Sequence, residues 1–388
     1  MKGWLKMKAC LHHSCNLWSQ PSCSDSSPLL CYTIKMCHLP SATTPLIERE
    51  GPALGVTVGR TQPEIGLDGL LLAGTVNALT GLAERLSEIN SEAAEGGRLI
   101  LELMRKTERR PTSALQLGSH RLPLGKRTLI MGILNVTPDS FTDGGKYNSI
   151  SAALARAYQM VGEGADIIDI GGESTRPGYR GISVAEELAR VMPVIETLKS
   201  DPTFSTPLSI DTYKAAVARE ALQAGVEMVN DIWGLKADPG LGKLIASFNV
   251  PICLMHNRNS TAYCDLVPEV IFELQESIDL ARAAGINDEL IMVDPGIGFG
   301  KDLDQNLAVM RRLADFRGLG YPLLLGTSRK SMIGKTLGLP PLERLEGSAA
   351  TVAYGIAAGA DIVRVHDVKE MRRVVLMTDA MVRRSNGG

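Results

Sequence analysis

From Leu129 onward the chain repeats one pattern eight times: a short apolar run, a polar turn, then an amphipathic helix. The apolar runs are 129–136, 166–170, 207–211, 227–231, 251–255, 290–294, 322–326 and 361–365. Helical texts such as AALARAYQMVGEGA, VAEELARVMPVIETLK and EVIFELQESIDLARAAG lie between them. Strands buried on both faces read as unbroken apolar runs, which is the mark of a parallel sheet covered by helices. Repeated βα units over about 250 residues close into an α/β, (β/α)8 TIM barrel. An open doubly wound sheet is the alternative, but it brings a Gly-rich fingerprint after the first strand, and none stands there. Gly164-Ala165, Ala224-Gly225, Ala284-Gly285 and Gly359-Ala360 supply helix stop signals just before the next strand.

The first third of the chain reads differently. Residues 1–45 are rich in Ser, Cys, His and Lys, lack arginine and show no hydrophobic period, so a disordered leader is expected. Residues 46–119 carry Leu71, Leu72, Val76, Leu79, Leu82 and Leu86 at helical spacing, which predicts a small, mainly helical accessory region before a barrel at 120–388. Five of the seven cysteines fall within the first forty residues, so the barrel has no disulfide framework and suits a reducing, cytoplasmic compartment. An organellar location is the alternative if the leader is a transit peptide. A formal charge of −2 argues against nucleic acid or an anionic membrane as a main partner.

In such a barrel the polar residues that close each strand converge on one mouth. The first strand ends at Asn135 and runs into TPDSF, where Phe141 sits exposed in a polar loop. The second ends Asp169-Ile170-Gly171-Gly172 and continues through Glu173, Ser174, Thr175, Arg176, Pro177 and Gly178. Asp211, Asn230 and Asp294 end the third, fourth and sixth, Gly326-Thr327-Ser328-Arg329-Lys330 follows the seventh, and the eighth carries Arg364, Val365, His366 and Asp367. A single polar end would be a helix cap, and that reading stays open for Asp231 and Asp367. Asp211, Asn230 and Asp294 offer acceptors for a planar, guanidine-like edge. Lys330, Arg364 and His366 gather cations in the barrel sector that often holds phosphate. A heterocycle bearing phosphate or pyrophosphate would satisfy both sets, and a pyrophosphate brings Mg²⁺, which needs only one or two protein oxygens.

NVTPDSF, DIGGESTRPG, SIDT, VND, DPGIGFGK, GTSRKS and RVHDV, in this order and spacing, closely resemble the dihydropteroate synthases of folate biosynthesis, over about residues 126–384. The resemblance implies condensation of 6-hydroxymethyl-7,8-dihydropterin pyrophosphate with p-aminobenzoate. It implies that Asp211, Asn230, Met255, Asp294, Gly326 and Lys330 hold the pterin. Asn135, Arg364 and His366 would hold pyrophosphate, with Asn135 on Mg²⁺, and Phe141, Thr175, Arg176, Pro177 and Ser328 would border the p-aminobenzoate pocket that sulfonamides occupy. Lys330, Arg364, His366 and Asp211 are the expected catalytic set, and a homodimer is expected by the same resemblance.

Two rivals remain at this level: a pterin-binding methyltransferase serving a corrinoid protein, and a pterin-binding paralogue without turnover. The first has no need of NVTPDSF, SRK or the Arg364/His366 pair, and the second releases no pyrophosphate. Gly298-Phe299-Gly300-Lys301 imitates a Walker motif, but Pro295 and Asp302 stand where it requires Gly and a hydroxyl. Lys301 is therefore expected to be solvated or near the barrel rim, His256 in a structural role, Cys253 buried in its strand, and Tyr354 and Met332 in packing.

Overall fold

The computed structural model describes residues 8–11, 31–37, 43–60, 69–108, 114–137, 146–173 and 181–383. The chain forms two compact units, Met1–Arg110 with Arg312–Gly320, and Pro111–Arg311 with Tyr321–Gly388. No helix among the described residues is long and apolar enough to cross a membrane.

The first unit combines a sheet with three helices. Strands β1 (Lys8–Leu11), β2 (Cys31–Cys37), β3 (Thr57–Arg60) and β4 (Gly69–Thr75) form an antiparallel sheet in the order β1-β2-β4-β3. Helices α1 (Thr43–Ala53), α2 (Val76–Ile89) and α3 (Ser91–Glu108) accompany it. Asn90 caps α3 by accepting the Ala93 amide at 2.9 Å. Ile34, Met36, Ile47, Leu70, Leu72, Leu79, Leu82, Leu86 and Ile100 share one buried core. Two expectations therefore change. Within the 46–119 region α1, α2 and α3 hold most of the residues, but Leu71 and Leu72 lie in β4 and the helix expected to include them starts only at Val76. The 1–45 leader holds two strands, one of which pairs with β4 from Cys31↔Thr75 to Cys37↔Gly69. A strand whose partner lies some forty residues away has no local signature, and Leu70/Leu72 satisfies a period of two as well as Leu72/Val76/Leu79 satisfies 3.6.

The second unit opens with a hairpin, β5 (Ala114–Leu117) and β6 (His120–Pro123), which straddles the expected boundary at 119/120. Eight parallel strands follow: β7 (Leu129–Asn135), β8 (Ile167–Gly171), β9 (Leu208–Asp211), β10 (Met228–Asp231), β11 (Ile252–Met255), β12 (Ile291–Asp294), β13 (Leu324–Leu325) and β14 (Ile362–Val365). Each neighbours the next, β14 returns to β7, and a parallel bridge between Val293 and Leu323 joins β12 to the chain entering β13, closing the barrel. The helices between strands are α4 (Lys146–Glu163), α5 (Val184–Ser200), α6 (Ala215–Gln223), α7 (Pro239–Phe248), α8 (Leu266–Ala283), α9 (Leu303–Arg311), α10 (Ser331–Leu337) and α11 (Leu345–Ala357). Helix α12 (Val368–Val382) follows the last strand.

Gly164, Gly225, Gly285 and Gly359 all adopt φ between 93° and 103°, and the amide after each donates to the carbonyl five residues back. This is the left-handed stop that only glycine adopts without strain, and it aims each chain into the next strand. At the end where the strands begin, Leu115, Leu117 and Leu124 pack on Leu129, Met131, Ile167, Met228, Cys253, Met292, Leu324 and Ile362. That apolar plug fills the lower barrel and leaves the opposite mouth for polar side chains.

Candidate active site

Alternation along each strand decides which residues reach the mouth. Ile167, Met228, Met292, Leu324 and Ile362 belong to the apolar plug, so Asp169, Gly171, Asn230, Asp294, Gly326 and Arg364, at even steps from them, share the barrel interior. Arg364 joins the sectors: its Nε donates to Asp169 Oδ2 and its Nη2 to Asp211 Oδ2, each at 2.6 Å. Asn230 Nδ2 donates to the same Asp169 oxygen at 3.0 Å. A Cβ placed on Gly326 would lie 3.8 Å from Lys330 Nζ, 3.9 Å from Asp294 Oδ2 and 3.8 Å from Arg364 Cβ, so the three side chains converge on one glycine floor. Gly171 is the matching floor on the other side, 3.6 Å from both Asn135 Oδ1 and Asp211 Oδ2 by the same measure.

Asp294 spends one oxygen locally. Its Oδ1 accepts the Gly296 amide at 2.7 Å, which turns Oδ2 toward Lys330 and the floor. The turn demands glycine: Gly296 has φ +68°, and a Cβ there would stand 1.9 Å from the His256 carbonyl oxygen. Met255 walls this side and is buried. Lys330 donates to the Ile297 carbonyl and lies 4.7 Å from the Phe299 ring centre, a cation held over an aromatic face. Burial lowers Lys330 to about 8, against the pull of Asp294. Burial raises Asp211 to about 7, with Arg364 pulling down and Asp169 pushing up. Asp294 is raised by burial as well.

Ser328 and His366 face each other across the ends of β13 and β14. Ser328 Oγ accepts the His366 amide at 3.2 Å and lies 3.0 Å from Nδ1. The serine hydroxyl thus bridges the amide and one ring nitrogen of the same residue. His366 is not the cation that its sequence neighbourhood predicts: burial, then Arg364 and Arg329, lower it to about 3. The expected separation of acceptors from cations also fails in part, because Arg364 is paired with Asp211. Phe141, Thr175, Arg176 and Pro177 lie outside the described residues.

Other expectations resolve individually. Asp367 does not cap α12 with its side chain; it pairs with Arg329, whose backbone sits at φ +57°. Asp231 caps a turn, accepting the Trp233 and Leu235 amides at 2.8 and 2.6 Å, while Asp238 caps α7. Lys301 is buried, not solvated: it meets His256 Nδ1 and the carbonyls of Gly296 and Phe299. Cys253 and Met332 are buried as expected, and Tyr354 is exposed instead of packed. Asp169, placed by the sequence at the end of the second strand, is the residue to which no role was assigned there. Its one signal was parity, since it stands two residues before Gly171 on a strand.

A barrel whose mouth sets carboxylates and an amide beside two cations, in this order of motifs, defines a pterin-binding enzyme. Residues 131–366 match the family described as "Pterin binding enzyme". More narrowly, the chain belongs to the dihydropteroate synthases. It is 54% identical over 271 residues to dihydropteroate synthase of Clostridium beijerinckii, covering 70% of this chain and 100% of that protein. The Bacillus subtilis enzyme is likewise 54% identical over 271 residues, with 94% of it covered. Among solved structures, the Clostridium difficile enzyme in the presence of pteroic acid matches with TM-score 0.66 and 53% identity, over 67% of this chain and 99% of that one. The Xanthomonas albilineans enzyme with 4-aminobenzoic acid matches at TM-score 0.66 and 41% identity, over 69% and 98%.

Proposed function

We propose that the mouth condenses 6-hydroxymethyl-7,8-dihydropterin pyrophosphate with p-aminobenzoate, giving 7,8-dihydropteroate and pyrophosphate. The observation that carries this reading is the convergence of Asp294, Lys330 and Arg364 on Gly326, with Asp211 and Asn230 alongside. Asn230 and Asp294 accept from the flat N–H edge of the pterin, and Lys330 donates to its oxygen. Arg364, with a neutral His366 beside it, receives the diphosphate. As the C–O bond breaks, negative charge grows on the departing group and positive charge on the pterin methylene. Arg364 stabilises the first, and the ionised Asp211 and Asp294 stabilise the second, in a setting where water competes little. An aromatic amine attacks such a cation without a strong base, so none is assigned. Ser328, fixed against His366, borders the amine's pocket.

Asn135 Oδ1, a hard oxygen beside Gly171, would hold Mg²⁺, which keeps most of its waters and needs only one or two protein oxygens. When bound, it neutralises diphosphate charge. We also propose a homodimer, supported by Leu376, Met377 and Met381 standing exposed on α12, and a cytoplasmic location.

Pyrophosphate release tests the reaction. It is expected only when both substrates and Mg²⁺ are supplied, and its absence with pterin still bound would leave a binding protein in place of an enzyme.

A further inference from the structure

The scheme above leaves one buried carboxylate of the barrel interior without a part. Asp169 lies on β8 inside the barrel, level with Asn230, Asp294 and Arg364: Ile167, two residues back, belongs to the apolar plug, as Met228, Met292 and Ile362 do on their strands, and Gly171, two residues on, floors the site. Its exposure is zero. A carboxylate in that setting is costly unless partners hold it. Oδ2 takes both of its hydrogen bonds, from Arg364 Nε and Asn230 Nδ2, and Oδ1 makes none among the described residues.

The choice of donors is informative. Nε is the arginine nitrogen nearest the aliphatic stem, so anchoring it to Asp169, with Nη2 on Asp211, fixes the plane of the fork and leaves Nη1 for a ligand. An asparagine that gives its NH₂ to Asp169 must present its carbonyl oxygen the other way. One oxygen thus orients the two side chains that serve opposite halves of the site.

We propose that Asp169 is a positioning residue: from between Asn230 and Arg364 it aims the Arg364 guanidinium at the diphosphate and turns the Asn230 carbonyl toward the heterocycle. The inference rests on the reading given under the proposed function. It adds a role for a residue that touches no substrate.

Full-length wild type, Asp169→Asn and Asp169→Ala decide the matter. Because a single oxygen receives both donors, Asp169→Asn keeps the arrangement with its amide oxygen, and kcat/KM for the pterin pyrophosphate stays within about fivefold of wild type. Asp169→Ala releases both side chains and loses about 100-fold in kcat/KM, in the range that supporting-layer substitutions reach, with KM for p-aminobenzoate changed by less than about threefold. Calorimetry with inorganic pyrophosphate shows the same ranking: affinity is kept in Asp169→Asn and lowered about tenfold in Asp169→Ala. The proposal is overturned if Asp169→Asn, folded by circular dichroism, is as impaired as Asp169→Ala is expected to be. It is overturned equally if Asp169→Ala binds pyrophosphate like wild type, or if KM for p-aminobenzoate rises in step. Should Asp169→Ala not fold, Asp169→Asn alone decides on the same criteria. A wild type that binds pyrophosphate yet turns nothing over defeats the parent reading and leaves the binding comparison intact.

Discussion

Lys301 Nζ stands 2.9 Å from Nδ1 of His256, and Nε2 of the same ring stands 3.1 Å from Glu273 Oε2. The ammonium also reaches the carbonyls of Gly296 and Phe299, so it clasps the turn that carries Asp294. The clasp requires a neutral ring whose Nδ1 accepts. Burial is the first cause that lowers His256 to about 4, with Lys301 helping and Glu273 opposing. The unfolded chain binds this proton below about 6.5 and the folded one only near 4, so stability falls as pH drops through that window. The full contribution is about 3 kcal/mol. Denaturant titrations at pH 7, 5.5 and 4.5 check it. His256→Gln should be less stable at pH 7 and should show a shallower slope; an unchanged slope would contradict the assignment.

The first barrel loops are tied down by a different cation. Lys214 Nζ contacts Glu173, Glu187 and the Ile182 carbonyl, and the Glu187 side chain is only 1% exposed. Removing the ammonium strands a buried carboxylate, which costs about 3–5 kcal/mol. Lys214→Met should therefore lower Tm by roughly 10 °C in a unit of this size. The double variant Lys214→Met/Glu187→Gln should recover part of that loss, because the stranded charge is gone. Calorimetric melts of the three proteins read the outcome.

Much of the barrel was legible because parallel strands covered on both faces must be apolar throughout, and seven of the eight runs coincide with strands to within one residue at each end. The seventh, expected at 322–326, is strand only at Leu324–Leu325. The four glycine stops were legible for a similar local reason. What stayed hidden depends on distance in sequence. Arg364 and Asp169 are 195 residues apart, and nothing local to either tells that they share a hydrogen bond. Lys301 looked solvated because its three acceptors are two backbone carbonyls and a ring nitrogen 45 residues away. His366 looked cationic because burial and nearby arginines are properties of the fold. The sheet of the first unit was missed because its strands pair across long gaps.

Gly326 gives a test that separates binding from folding. A methyl group there would meet Lys330, Asp294 and Arg364 at 3.8–3.9 Å, ordinary contact distances, so the protein itself has room for it. Gly326→Ala should change stability by less than about 1 kcal/mol. The same methyl would rise from the floor on which the heterocycle lies. Affinity for 6-hydroxymethylpterin should fall by about tenfold or more, as overpacking a fitted site does. Titration calorimetry beside a thermal melt reads both numbers. Equal pterin affinity would place the ring elsewhere in the mouth.

Asp211 and Lys330 approach neutrality from opposite sides, and the rate should record it. Burial brings Asp211 up to about 7 and Lys330 down to about 8. The reaction as proposed needs the first ionised and the second protonated. Below about 7 the carboxyl takes a proton and no longer stabilises the cationic pterin; above about 8 the amine loses one and no longer draws on the pterin oxygen. The profile of kcat/KM for the pterin pyrophosphate should therefore be a narrow bell, since this ratio reports groups in the unliganded enzyme. His366, lowered to about 3, stays neutral across the range and supplies neither limb. Lys330→Arg keeps its charge to high pH, so its residual activity should lack the alkaline limb. Asp211→Asn cannot titrate, so its residual activity should lack the acid limb. Each limb must vanish with its own residue: a limb that survives the matching substitution belongs to another group, and the charge assignment of the mouth would have to be redrawn around that group.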